Sequence, residues 1–262
     1  MSEFPRGRFV WYELMTTDPE AAQEFYGDVV GWSTAPFEGA GTPYTLWMNG
    51  ESPVGGVMEL PGEAQSAGAP PHWLAYIATP DVDETARKAK ELGGKVLVPA
   101  QDVPNVGRFA VLKDPHGAVF AAYKSATETQ DGDGQPKVGE FSWHELATTD
   151  HEAALDFYSQ LFGWEKTESM DMGEAGTYQM YGQKGQTYGG IYNKTADQPG
   201  PPAWLFYAMV PSADQAVEKV KAKGGQVLNG PMEVPGGDRV AQCLDPQGAA
   251  FAVHAKPAGA AG

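Results

Sequence analysis

From Phe9 to Met15 the chain alternates like a half-buried strand, and Asp18 followed by Pro19 supplies a helix N-cap with proline at the first helical position. Ala21, Ala22, Phe25, Tyr26, Val29 and Val30 then form one apolar stripe that ends at Gly31, so the predicted helix must lay that stripe against a sheet. Strands are predicted over 32–37, 44–49 and 54–60, separated by Gly, Pro and Asn turns. The β-α-β-β-β order then recurs. A strand is predicted over 72–79, a helix over 83–92 stopped by Gly93-Gly94, and strands over 95–98, 108–113 and 119–123 around the turn Asp114-Pro115-His116-Gly117.

The same pattern is written twice. Trp11-Tyr12-Glu13-Leu14-Met15-Thr16-Thr17-Asp18 is echoed by Trp143-His144-Glu145-Leu146-Ala147-Thr148-Thr149-Asp150, and residues 11–32 share 13 of 22 identities with 143–164 without a gap. Later landmarks recur at an offset of 131: Trp73-Leu74 with Trp204-Leu205, Gly93-Gly94 with Gly224-Gly225, and Asp114-Pro115 with Asp245-Pro246. The expected organisation is one domain over 5–124, a polar, Gly-containing linker over 125–137, a second domain over 138–256 and a small-residue tail over 257–262.

Composition narrows the function classes. With 42% hydrophobic and 11% aromatic residues the chain can bury substantial cores, and 18 Lys plus Arg against 34 Asp plus Glu give a net charge of −16. That field disfavours a nucleic-acid backbone or an anionic membrane and suits a neutral or cationic small molecule. Cys243, the only cysteine, has no intramolecular disulfide partner. No run of eighteen apolar residues occurs, and Met1 to Arg8 carries no apolar signal core, so a cytoplasmic location is expected.

A strand ending in Thr-Thr-Asp, a helix carrying Phe-Tyr, a following Gly-Trp, and Asp-Pro-x-Gly before the last strand together resemble the vicinal oxygen chelate superfamily, the glyoxalase, bleomycin-resistance and extradiol dioxygenase proteins. The resemblance covers nearly the whole chain. It implies an α+β fold of four βαβββ modules in two tandem domains, with curved mixed sheets forming cups and helices outside. In metal-using members the ligands are His, Gln or Glu on the first, fourth, fifth and eighth strands of a module pair. Aligned on the motifs, the first-strand position holds Trp11 and Trp143, and the last-strand position Ala121 and Ala252. The fifth-strand position falls near Trp73 and Trp204, where His72 is an alternative in the first copy. Glu59 matches the fourth-strand glutamate, but its counterpart is Asn193. Neither indole nor methyl offers a lone pair to a divalent ion.

Strand parity places Glu13 on the face of Trp11, Glu145 on the face of Trp143, and His254 on the face of Ala252. Trp11, Glu13, Glu59, Trp73, Trp143, Glu145, Trp204 and His254 are therefore the candidate ligand-binding residues, with no cofactor expected. Core packing is the competing reading of the tryptophans, and pairing with Arg108 or Arg239 that of Glu13 and Glu145. His144 should point toward the helix layer, His116 and His151 to the surface, and Cys243 into the core as a small apolar filler. Tyr44 and Tyr178 occupy similar places in the third strands and offer phenolic hydroxyls, with strand propensity the competing reading of both. Gly55-Gly56 and Gly189-Gly190 lack the Lys-Ser/Thr and helix of a phosphate loop and indicate a bend or a close approach of backbone. No Ser-His-Asp triad is legible.

The leading expectation is a metal-independent small-molecule-binding protein, monomeric or homodimeric, with no nucleic-acid or membrane partner. The alternatives are a divalent-metal glyoxalase I-like lyase or extradiol-type dioxygenase with a rearranged site including Glu59 and His254, and a ligand-free interaction domain.

Overall fold

The computed structural model describes residues 5–39, 41–127, 135–195, 198 and 200–257. The first half runs β1 (Phe9–Thr16), α1 (Pro19–Val29), β2 (Ser33–Pro36), β3 (Thr45–Asn49), β4 (Ser52–Glu59), a short α2 (Gly62–Ser66), β5 (His72–Ala78), α3 (Val82–Glu91), β6 (Lys95–Val103), β7 (Gly107–Lys113) and β8 (Val119–Ser125). The second half runs β9 (Phe141–Thr148), α4 (His151–Phe162), β10 (Glu165–Asp171), a single 3-10 turn at Gly173–Ala175, β11 (Thr177–Gln183), β12 (Gln186–Asn193), β13 (Ala203–Met209), α5 (Ala213–Ala222), β14 (Gln226–Glu233), β15 (Arg239–Leu244) and β16 (Ala250–Ala255). Positions 128–134 of the expected linker and 258–262 of the expected tail lie outside the described residues.

The βαβββ order is present twice in each half. The strands form two mixed eight-stranded sheets, ordered β2-β3-β4-β1-β5-β8-β7-β6 and β10-β11-β12-β9-β13-β16-β15-β14. Within each module the first and last strands pair in parallel, as in β1 with β4 and β13 with β16, and the hairpin neighbours pair antiparallel. A parallel pair needs a crossover, which the helix and two intervening strands provide. The four longer helices begin where side chains satisfy their free N–H groups: Asp18 accepts from Ala21, Asp81 from Glu84, Asp150 from Ala153, and Ser212 from Gln215.

Two differences from the sequence reading have local causes. β6 continues to Val103 through Pro99, because it is an edge strand and its register to β7 shifts twice, between Val96 and Val98 and between Val98 and Gln101; a bulged edge tolerates the missing N–H. The helix α2 spans five residues and buries none of them, so it leaves no apolar stripe to detect.

Close packing divides the chain into two units that do not follow the halves: Met1–Val10 with Leu74–Asp133 and Trp143–Trp204, and Trp11–Trp73 with Gly134–Ser142 and Leu205–Gly262. Each unit is centred on the same polar thread through an aromatic core. In one, the Trp204 indole donates to the Tyr158 hydroxyl (3.2 Å), which donates to Asp114 Oδ2 (3.0 Å). In the other, Trp73 donates to Tyr26 (3.0 Å), which donates to Asp245 Oδ2 (3.1 Å). The Oδ1 atom of each aspartate accepts backbone N–H groups of its own Asp-Pro-x-Gly turn: His116, Gly117 and Ala118 for Asp114, Gln247 and Ala249 for Asp245. Burial raises the Asp245 carboxyl above the usual range, and it raises both tyrosines well above theirs.

Tyr26→Phe removes the donor to a buried carboxyl and the acceptor of a buried indole while barely changing the packed volume. It is expected to lower unfolding free energy by about 2 kcal/mol, and Tyr158→Phe by a similar amount, as measured by urea denaturation. A loss as small as that of a surface Tyr→Phe control would refute the assignment.

Candidate functional site

On β1, Leu14 and Thr16 are fully buried and Trp11 and Met15 half-buried, so Trp11, Glu13 and Met15 share the face opposite the strand's core side. β4 runs in register with Glu13 beside Gly56. The ring of Tyr44 lies across Gly56, where an added Cβ would stand 2.1 Å from the tyrosine oxygen; only glycine admits the ring there. Across this gap the Trp11 indole donates to the Tyr44 hydroxyl (2.9 Å), and that hydroxyl bonds Glu13. Burial first, then the Glu13 charge, raises the Tyr44 phenol far above its ordinary range, so it stays protonated.

The second copy repeats the arrangement in the other unit. Trp143 donates to the Tyr178 hydroxyl at 2.8 Å, and Tyr178 donates to Glu145 Oε2 at 2.9 Å. Gly190 pairs with Glu145 across β12 and β9, and a Cβ there would meet the Tyr178 ring at 2.0 Å. Tyr192 stacks on Tyr178, with centroids 6.0 Å apart and planes 19° apart. Each relay thus joins a half-buried indole, a half-buried phenol and a buried carboxylate. The glycine pairs carry the close approach the sequence indicated: Gly55 and Gly189 lie against the carbonyls of Tyr12 and His144, while Gly56 and Gly190 seat the tyrosines.

The remaining candidates are placed elsewhere. Trp73 and Trp204 are core residues, 7% and 8% exposed, and donate to Tyr26 and Tyr158. Glu59 is exposed at the end of β4, in register with Thr16 and therefore opposite in parity to Glu13. Arg108 and Arg239 hold Asp83 and Asp214 through paired hydrogen bonds of 2.8–2.9 Å. His72 is half-buried and bonds the Pro70 carbonyl; His116 bonds Thr149. Cys243 is buried and its thiol is pushed up to about 12, as suits an inert filler.

His254 has both ring nitrogens engaged: Nδ1 lies 2.7 Å from Ser142 Oγ and Nε2 2.8 Å from Asp238 Oδ2. This corrects the absence of a Ser-His-Asp arrangement in the sequence reading. The three residues come from β9, the turn before β15, and β16, so no local spacing announces them.

The metal-ligand positions of the resembled family do not fit an ion. Trp11 and Trp143 present donor N–H groups, Ala121 and Ala252 present fully buried methyls, and among the described residues no three His, Cys, Asp or Glu side chains gather.

The profile of the Glyoxalase/Bleomycin resistance protein/Dioxygenase superfamily matches residues 8–121 and 140–253, and the chain belongs to that superfamily. It is 35% identical to the CFP32 protein of Mycobacterium tuberculosis, provisionally named a glyoxylase, over 98% of this chain and 97% of that one. It is 32% identical to the anthracycline biosynthesis protein DnrV of Streptomyces peucetius, over 97% and 94%. Among solved structures it resembles the Mn(II)-bound glyoxalase from Novosphingobium aromaticivorans (TM-score 0.62, 16% identity, 98% of this chain and 83% of that one). It also resembles homoprotocatechuate 2,3-dioxygenase from Brevibacterium fuscum in complex with 3,4-dihydroxyphenylacetate (TM-score 0.67, 17%, 98% and 83%). These structural likenesses establish the fold. Among the described residues no helix is long and apolar enough to cross a membrane.

His144, expected in the core, is buried, stacks on Phe9 (centroids 3.8 Å apart, planes 5° apart) and bonds the Tyr188 carbonyl. Burial lowers its pKa from 6.5 to about 4. Above pH 6.5 the ring is neutral in both folded and unfolded chains. Between pH 6.5 and 4 the unfolded chain takes the proton first, so stability falls with pH by on the order of 3 kcal/mol in total. A His144→Gln variant should lose that increment, read as the difference between the two stability–pH curves; superimposable slopes would refute it.

Proposed function

We propose that this chain is a metal-independent small-molecule-binding protein whose ligand is a flat aromatic compound carrying hydrogen-bond donors or a positive charge. The observation that carries this reading is the duplicated indole–phenol–carboxylate relay, Trp11–Tyr44–Glu13 and Trp143–Tyr178–Glu145. Half-exposed indole and phenol rings offer stacking faces, and the carboxylate behind them makes those faces more attractive to a cation than an aromatic wall alone. The tyrosine hydroxyl is held with its proton toward the glutamate, so the recognition surface is pre-organised and costs little to order on binding. A net charge of −16 favours the approach of a cation. The relatives named for anthracycline biosynthesis direct the first trials to polycyclic aromatics. In this reading Trp11 and Trp143 meet ligand with Tyr44 and Tyr178, Glu13 and Glu145 act from behind those rings, and Trp73 and Trp204 support them from the core.

Titration with a cationic polycyclic aromatic such as an anthracycline should quench tryptophan fluorescence saturably. Trp143→Leu and Tyr178→Phe should each weaken binding about tenfold or more, equivalent to about 1.4 kcal/mol, with smaller effects on unfolding free energy. Stoichiometric manganese, iron, nickel or zinc in protein purified without chelator, together with turnover of a hemithioacetal or a catechol, would replace this reading with the lyase or dioxygenase alternative.

A further inference from the structure

The series Ser142, His254 and Asp238 lies within one packing unit, and ligand stacking on the indole–phenol relays makes no use of it. It is also unduplicated. The repeat offsets place Val10, Tyr123 and Gly107 at the equivalent positions of the first half. There the Tyr123 hydroxyl donates to the Val106 carbonyl at 2.8 Å. One framework therefore closes the same strands without a serine, a histidine or an aspartate, and the polar series is not a requirement of the fold.

For a neutral ring the hydrogen inventory sets its polarity. A carboxylate only accepts, so the Nε2 nitrogen facing Asp238 carries the ring hydrogen. In the neutral imidazole Nδ1 is then the acceptor, and the hydroxyl of Ser142 donates to it at 2.7 Å. The same hydroxyl also lies 3.3 Å from the Tyr207 carbonyl, a second acceptor; the contact with His254 is the shorter of the two and aligns the hydroxyl with the base. A base is thus aligned on a hydroxyl and held in one tautomer by a carboxylate, the arrangement that activates a serine. The side chains of His254 and Asp238 are 14% and 34% exposed, and Ser142 is half-buried, so the series is part-buried and within reach of solvent.

We propose that Ser142 is a nucleophile that accepts the acyl group of carboxylic esters, with His254 as its general base and Asp238 as a positioning residue. As the Oγ–carbon bond forms at the ester carbonyl, the hydroxyl proton passes to Nδ1. The tetrahedral adduct expels the alkoxide, which takes that proton and departs as an alcohol. Water then attacks the Ser142 ester, giving its proton to Nδ1, and collapse of the second adduct frees the acid and returns the proton to Oγ. The sum is ester plus water to acid plus alcohol. Aryl esters are the substrate class, because a phenolate leaves with little help at the carbonyl oxygen. This activity does not rest on the ligand-binding reading.

The test treats the full chain with a fluorophosphonate probe and maps the adduct by peptide mass spectrometry, alongside p-nitrophenyl acetate turnover. Expected are one adduct, on Ser142, and a p-nitrophenolate burst approaching one equivalent. Ser142→Ala should abolish both, and His254→Gln should slow labelling by about a hundredfold or more. Nitrogen NMR of the His254 ring should show the Nε2–H tautomer, and Asp238→Asn should redistribute it. The wild-type result decides even if a variant fails to fold: no adduct on Ser142, or an adduct confined to another residue, overturns the proposal, as does labelling of a folded His254→Gln variant at the wild-type rate.

Discussion

The structure depends on a buried hydroxyl–carboxyl bond made across the duplication. Tyr26 belongs to the first half of the chain and Asp245 to the second; Tyr158 belongs to the second and Asp114 to the first. Each aspartate divides its two oxygens, one closing its own turn and the other receiving a tyrosine from the opposite half. Neither group can be buried alone at acceptable cost, so turn, helix and tryptophan are placed together or not at all. The same exchange appears in the smaller contacts, where the Trp32 indole donates to the Gly139 carbonyl and the Trp164 indole to the Gly7 carbonyl. A duplicated chain built this way gains its cores by uniting halves, which is why the packing units cut through both copies.

This bond explains why the fold was legible from sequence. Phe-Tyr on the first helix and Asp-Pro-x-Gly before the last strand were read as separate landmarks, yet they are the two ends of one interaction, so their joint recurrence reported tertiary structure as well as local propensity. The strand parity of Trp11 with Glu13 and Trp143 with Glu145 was equally legible, because a period-two pattern fixes which residues share a face. What parity could not supply was the partner. Tyr44 and Tyr178 were noticed as hydroxyl donors and the glycine pairs as close approaches, but that each glycine seats one tyrosine over one glutamate depends on the register of β4 with β1 and of β12 with β9. Register between strands some forty residues apart is not written in either strand.

The tryptophans show where residue type misleads. Trp11 and Trp73 belong to the same half and follow equally conspicuous patterns, yet one indole lines the half-exposed relay and the other is sealed in the core. Both solve the same local problem, an indole N–H that needs an acceptor, and both solve it with a tyrosine oxygen that passes its own hydrogen to a carboxyl group. The relay toward Asp245 and the relay toward Glu13 differ in which side of the sheet they occupy, and burial on that side decides whether the rings are sealed in the core or left half-exposed.

Symmetry sharpens one exception among the described residues. Wherever the halves agree, in the helix caps, the arginine–aspartate pairs and the two kinds of relay, the arrangement is accounted for by closing the same framework twice. Duplication supplies an internal control: a feature present in one half and replaced by ordinary packing in the other cannot be owed to the strands that both halves share. Val10, Gly107 and Tyr123 perform that replacement for Ser142, Asp238 and His254. Three polar side chains gathered from two strands and a turn cost desolvation that the other half avoids, and a cost borne in only one of two equivalent places separates chemistry from scaffolding more cleanly than any single contact distance.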